Sequence, residues 1–402
     1  MMKILYLRTL YWFGLKAGGS VGHTAGVINA MDKKVRLSVI SNDELWGVDK
    51  EITVVKPIKF PFIPKDILEF FYNFKIINHC ADLEADAIYQ RYSGFSFCGA
   101  YIAKRKKIPF ILEFNSSDVW KIKNWKNNDT LFKRIFKIIY YKIFKLPIVC
   151  AIERYNLKNA KCVVAVSEAL KDILLNLGVD EGKIIVNPNG IDENKYNPQV
   201  SCEDVKQKYG LENKIVIGFI GTFGQWHGAE NIAHAYGKLL QKYPECKEKT
   251  KLFMIGDGVR MSAVKKYIFE FDLQENVVLT GLIPQEQGAK FLSACDILIN
   301  ATVPNPDGSE FFGSPTKLFE YMAMGKAIIC SDMAQMSEIL EHNKTAYMVE
   351  PGNIDELATA MKELADDGEL RQRLGDSARD EVIQKYTWDK HVDKILKAIS
   401  NE

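Results

Sequence analysis

Short apolar runs alternate with longer amphipathic stretches along the whole of this 402-residue chain. In the first half the strand-like runs include residues 3–8, 35–40, 52–55, 108–114, 162–167 and 183–187. In the second half they include 215–221, 252–256, 277–281, 296–301, 327–331 and 346–349. Helical periodicity fills most of the gaps, as at 230–242, 261–271, 316–324 and 354–364. Strand and helix in strict succession predict parallel sheets covered by helices on both faces. The length fits two domains of about 200 residues each. The charge divides in the same place, with net +10 over residues 1–200 and net −8 beyond them. The expectation is an α/β chain of two Rossmann-like, doubly wound domains, 1–197 and 206–385. The polar stretch 197–206 with Pro198 links them, and residues 386–402 form a closing amphipathic helix.

Composition narrows the classes. A chain 47% hydrophobic and 26% charged is not wholesale disordered. No stretch approaches the roughly 18 apolar residues of a membrane span. Residues 1–15 lack a small-residue cleavage site and do not read as a signal peptide. The eight cysteines stand singly, without a C-x-x-C pair, which argues against a zinc site or disulfide framework. These features lead us to expect a cytoplasmic protein.

Ligands of such sheets bind beyond the carboxyl ends of the strands, so the loops there carry the chemistry. After the first strand comes Gly18-Gly19-Ser20-Val21-Gly22-His23-Thr24. It reads either as a sharp turn or as a backbone cradle at a helix N-terminus. Residues 221–228 repeat the pattern in the second half with Thr222 and His227. Gly256-Asp257-Gly258 is a turn or a close approach to a nucleotide. The most informative segment is EFFGSPTKLFEYMAMG, residues 310–325. Ser314 suits a helix N-cap and Pro315 a first helical residue. Lys317 then lies in the first turn, where a cation opposes the helix dipole. A bound anion shared by the Lys ammonium and the backbone amides would resolve that conflict. Glu320, three residues on, can accept hydrogen bonds from ribose hydroxyls. A surface Lys317–Glu320 ion pair is the plainer reading, and the apolar neighbours Leu318, Phe319, Tyr321 and Met322 count against it.

These stretches together resemble the retaining glycosyltransferases of family 4, which have the two-Rossmann GT-B fold. The resemblance runs in family order through Val186–Asp192, 221–228, 252–258, 277–283, 296–301 and 314–326. It implies a nucleotide-sugar donor, UDP- or GDP-linked, held by the second domain across the cleft from an acceptor held by the first. It also implies that the closing helix returns to the first domain. The donor contacts it implies are Gly19, Thr222, Asp257, Gly258, Leu282, Ile283, Ser314, Pro315, Thr316 and Leu318. Lys317, His227 and Glu320 are the catalytic candidates, and His23, Glu113 and Asn115 face the acceptor. Thr222 and His227 replace the Arg and Lys that usually hold the diphosphate in the family, and Lys317 can restore one charge. The first of the family's paired glutamates has no match. The implied enzyme is a retaining hexosyltransferase that needs no metal or other cofactor, with charge on the leaving diphosphate met by the helix N-terminus, Lys317, Thr222 and His227.

The implied acceptor is a saccharide or lipid-linked saccharide of a bacterial surface glycan. Residues 121–147 hold eight Lys+Arg and one acid among aromatics. They read as a peripheral contact with the anionic inner face of the cell membrane, or as an ordinary amphipathic helix. The chain carries no recognised nucleic-acid module. The rival readings are a non-catalytic GT-B scaffold subunit, a sugar-nucleotide epimerase and a two-domain solute-binding protein.

Overall fold

The computed structural model describes residues 1–10, 18–124, 140, 145–305 and 311–400. Seven parallel strands form the first sheet: β1 (Lys3–Arg8), β2 (Arg36–Ser41), β3 (Thr53–Val54), β4 (Ala87–Arg91), β5 (Phe110–Phe114), β6 (Cys162–Ala165) and β7 (Ile184–Val186), in the order β3-β2-β1-β4-β5-β6-β7. Six parallel strands form the second: β8 (Ile215–Ile220), β9 (Thr250–Ile255), β10 (Val277–Leu279), β11 (Ile297–Asn300), β12 (Ala327–Ser331) and β13 (Tyr347–Val349), in the order β10-β9-β8-β11-β12-β13. The sheets are doubly wound as expected, with apolar cores on both faces of each. Strand β4 was not among the runs read from the sequence. Its Ala-Ile-Tyr-Gln-Arg ends in two polar residues, and Gln90 is nonetheless fully buried because its side chain accepts the Gly99 amide at 2.6 Å.

Each sheet reverses direction once. The chain leaves β1 toward β2 and leaves β4 toward β5, which opens a crevice at their carboxyl ends, and β8 and β11 do the same in the second sheet. Helices α1 (Gly19–Asp32) and α2 (Lys65–His79) belong to the first unit. Helices α3 (Ala229–Lys242) and α4 (Thr316–Ala323) follow β8 and β11 in the second.

Two chain crossings join the units. Helix α5 (Gly368–Lys385) packs on α4, after which α6 (Trp388–Ser400) returns to pack on α1 and β6. Its buried positions Trp388, His391, Val392, Ile395 and Ile399 lie on one helical face and complete the core between α1 and the first sheet. The crossings are laced together, since Ile191 donates to the Tyr386 carbonyl at 2.9 Å and accepts from Trp388 at 3.1 Å. Among the described residues no helix is long and apolar enough to cross a membrane. All eight cysteines are free.

Candidate active site

The two crevices face one another across a cavity of about 1090 Å³. The first unit lines it with Gly18, Gly19, His23, Arg91 and Asn115. The second contributes Thr222, His227, Leu282, Ile283, residues 313–317 and Glu320.

Lys317 stands at the head of α4. Pro315, in extended conformation, is the N-cap, with no side-chain cap hydrogen bond. Ser314, expected to cap, is turned elsewhere: its hydroxyl accepts the Asn189 amide at 3.1 Å and its carbonyl accepts Asn189 Nδ2 at 2.6 Å. The Ser314 side chain therefore serves the interdomain crossing, and no side chain caps the first amides of α4. The Lys317 side chain is only 8% exposed and its Nζ has no hydrogen-bond partner among the described residues. Nζ lies 4.4 Å from the centroid of the Phe219 ring. No ion pair joins it to Glu320 within the described residues. Burial pushes the ammonium down to about 7, against a weaker upward pull from Cys330 and Glu320. A buried, unpaired cation at a helix N-terminus is unfavourable twice over and fits a bound anion.

His227 lies in the loop after β8. Its Nδ1–H donates to the Thr222 carbonyl, which leaves Nε2 as the free ring nitrogen. Burial, and then the Lys317 charge, push it down to about 3, so the ring is neutral while the site is empty. Glu320 is half-buried, with its pKa raised by burial and partly restored by a hydrogen bond from Tyr196. Thr222, Leu282, Ile283, Pro315 and Thr316 border the cavity, as the sequence led us to expect. Gly19 borders it too, but its small size answers a second demand. A Cβ there would stand 2.8 Å from the Thr316 hydroxyl of the opposite unit, so α1 can approach α4 only through a glycine.

Three expected contacts in the second unit lie elsewhere. Leu318 is fully buried in the second core, because the α4 face that holds it packs on the sheet. Asp257 and Gly258 are exposed beside the cavity. The Asp257 carbonyl accepts the Phe223 amide at 3.0 Å, which braces the 221–228 loop.

On the first side His23 is buried, with its two nitrogens beside oxygens of Asn189 and Glu113. Nδ1 meets Asn189 Oδ1 at 2.6 Å and Nε2 meets Glu113 Oε1 at 2.8 Å. Both ring nitrogens thus face oxygens of the protein. Glu113 is wholly buried and does not reach the cavity, contrary to its expected acceptor role. It accepts from Tyr89 at 2.7 Å and from Asn115, and it pairs with Arg91 at 3.4 Å. Burial alone would raise its pKa, but His23, Arg91 and Tyr89 more than offset that and hold it far below the usual carboxylate range. Glu113 thus positions His23 and Asn115 from behind. Asn115 does border the cavity, and its Oδ1 has no partner among the described residues.

Sequence reading missed Arg91, Asn189 and Gln285 as site residues. Arg91 closes the unrecognised β4 at the switch point. Asn189 belongs to the quoted Val186–Asp192 stretch and bridges His23 to Ser314. Gln285 accepts the Gly18 amide at 2.8 Å across the cleft. Most of the basic stretch 121–147 lies outside the described residues, as does Glu310.

A family model described as Glycosyltransferase Family 4 matches residues 17–195, and one described as Glycosyl transferases group 1 matches residues 202–381. An uncharacterized glycosyltransferase of Methanocaldococcus jannaschii is 26% identical over 76% of this chain and 70% of its own length. The amylovoran biosynthesis glycosyltransferase of Erwinia amylovora is 26% identical over 50% of this chain and 47% of its own. The solved structure of Anabaena HepE in complex with UDP and glucose superposes with a TM-score of 0.72 at 17% identity, covering 100% of both chains.

Proposed function

The chain is a glycosyltransferase of GT-B fold, matched in both of its halves by glycosyltransferase family models, and from that premise we propose that it moves a hexose, with retention, from a UDP- or GDP-sugar to a saccharide or lipid-linked saccharide. The observation that carries the donor half of this reading is the buried Lys317 ammonium, unpartnered at the head of α4 and aimed at the cavity. A diphosphate there would receive the ammonium and the first amides of α4 together. The Anabaena neighbour holds UDP on the same fold, which supports a nucleotide in this cleft.

The residues then divide the work. Lys317 stabilises the charge that grows on the leaving diphosphate. His227 is neutral while the site is empty, because burial and Lys317 oppose its charge. Phosphate beside both groups would offset the second of these effects and leave the first, so the ring stays neutral and Lys317 carries the charge. Glu320 takes the ribose hydroxyls. Arg91, Asn115 and the held His23 shape the acceptor side. Both His23 nitrogens face protein oxygens and Glu113 is sealed behind the ring, so neither side chain is placed to meet the acceptor hydroxyl. The reading therefore leaves the acceptor proton to the leaving phosphate on the same face, the route to retention, and needs no metal. The Erwinia relative, an amylovoran biosynthesis glycosyltransferase, supports a role in glycan biosynthesis.

Calorimetric titration of the full chain with UDP and with GDP, each with and without magnesium, tests the proposal. Micromolar binding of one nucleotide without metal, lost in Lys317→Ala, is expected. Absence of binding by both would instead favour a scaffold subunit.

A further inference from the structure

The first unit turns outward a set of apolar side chains that its core does not use. Phe60, Phe62, Ile63, Ile67, Phe71 and Phe74 are all exposed, and all fall within the loop after β3 and helix α2. Ile67, Phe71 and Phe74 follow one another at helical spacing and form a stripe. The opposite face of α2 buries Leu68, Tyr72 and Ile76, so the helix is apolar on both sides. Phe70 lies at the edge of the stripe, with its ring 5.7 Å from Phe71 and 6.1 Å from Phe74. These contacts hold the outer rings as a fixed surface.

Phe62 is the extreme case. It is fully exposed, at 103% of its reference area, and sits between Pro61 and Pro64 with φ of 71°. A bulky residue in the left-handed region is a costly conformation that persists where its surroundings hold it or something uses it.

Charge says what covers this face. Lys56, Lys59, Lys65 and Lys75 belong to the same segment and are exposed, Lys75 with its ammonium on the Lys56 carbonyl at 2.9 Å. The two acids of the segment do not balance them. Asp66 pairs with Lys145 at 2.7 Å, and Glu69 is buried against the Ser93 hydroxyl. A second copy of the chain docked face to face would set these lysines against their own counterparts. An anionic lipid surface meets both features, taking the rings into its interface and the lysines among its headgroups. The strands of the sheet are parallel, so the loop after β3 leaves from the same edge that carries the cleft.

We infer that residues 56–75 dock the protein on an anionic membrane surface, with Phe62 inserted at the tip and Lys56, Lys59, Lys65 and Lys75 against the headgroups. This contact is separate from the basic stretch 121–147 and does not depend on the nucleotide reading. It presents the acceptor side of the cleft to whatever the bilayer carries.

Co-sedimentation of the full chain with phosphatidylcholine vesicles, with and without phosphatidylglycerol, tests it. Partition is expected with phosphatidylglycerol only and weakens with salt. Phe62→Asp combined with Phe71→Asp should cut the partition coefficient at least about tenfold. Lys59→Gln combined with Lys65→Gln should cut it by roughly tenfold or more. Both variants change exposed side chains, so circular dichroism and melting temperature should match the wild type. The inference is overturned if wild-type protein stays in the supernatant with both vesicles, or if the phenylalanine variant pellets as well as wild type. A dimer in sedimentation velocity that Phe62→Asp dissolves, without vesicle binding, would assign the face to a second copy instead.

Discussion

Lys317 shows how a single side chain can be unfavourable for the fold and necessary for the site. Its ordinary pKa is 10.5, and the fold pushes it down to about 7. Between those values the unfolded chain holds a proton that the folded chain releases, so this residue's contribution to stability improves as pH rises from about 7 to 10.5. Lys317→Met removes the titration and fills the same space over Phe219. It should stabilise the empty protein by roughly 1–4 kcal/mol at pH 7, read by denaturant unfolding, and abolish nucleotide binding. A less stable Met variant would show that the ammonium is not held against its preference. A bound diphosphate should also restore the proton. Titration with the preferred nucleotide at pH 8, in buffers of different ionisation enthalpy, should reveal uptake of about one proton. Affinity should fall as pH rises above about 7. An uptake of zero would place the phosphates away from Lys317.

At the scale of elements, α6 is the last helix in sequence yet belongs to the first core. Trp388 fits between α1 and the crossing because Gly26 leaves room: a Cβ there would stand 2.2 Å from the indole. Trp388→Ala should cost about 3–5 kcal/mol. Scanning calorimetry should show the loss in the transition of the first unit and leave that of the second in place. A uniform shift of both would mean that they unfold as one. The parallel architecture was legible in the sequence because buried parallel strands are apolar runs that no neighbour is needed to decode. Strand β4 was illegible because its polar end is satisfied outside the strand, Gln90 by the Gly99 amide and Arg91 by Thr24 and Glu113. The lysine of α4 was legible as a conflict between charge and dipole. The Ser314 cap was misread because Asn189, far along the chain, competes for the same hydroxyl. Glu113 followed a strand toward the cleft, and only the fold shows that His23 stands in front of it. The outward face of α2 was missed because a phenylalanine-rich segment reads the same whether its rings point in or out.

The whole molecule depends on how the units meet. Gln285 accepts the Gly18 amide across the cleft, and Asn189 ties His23 to the Ser314 turn from the crossing. In a cleft that opens about the two crossings, the first contact would break and the second, on the crossing itself, would persist. Gln285 is therefore the better lever. Gln285→Ala loses the hydrogen bond from Gly18 across the cleft, a net of about 1 kcal/mol, which is enough to shift a closely balanced open–closed equilibrium several-fold. The variant should have a larger radius of gyration than wild type in small-angle scattering without nucleotide. Saturating nucleotide should bring the two to the same value, because a donor held at Lys317 of one unit and at Gly19 of the other favours the closed form in both. The variant's nucleotide affinity should fall by the same factor as its closed fraction, since binding must now supply the closure that Gln285 gave beforehand. Equal radii for the two empty proteins would mean that the laced crossings alone hold the cleft shut.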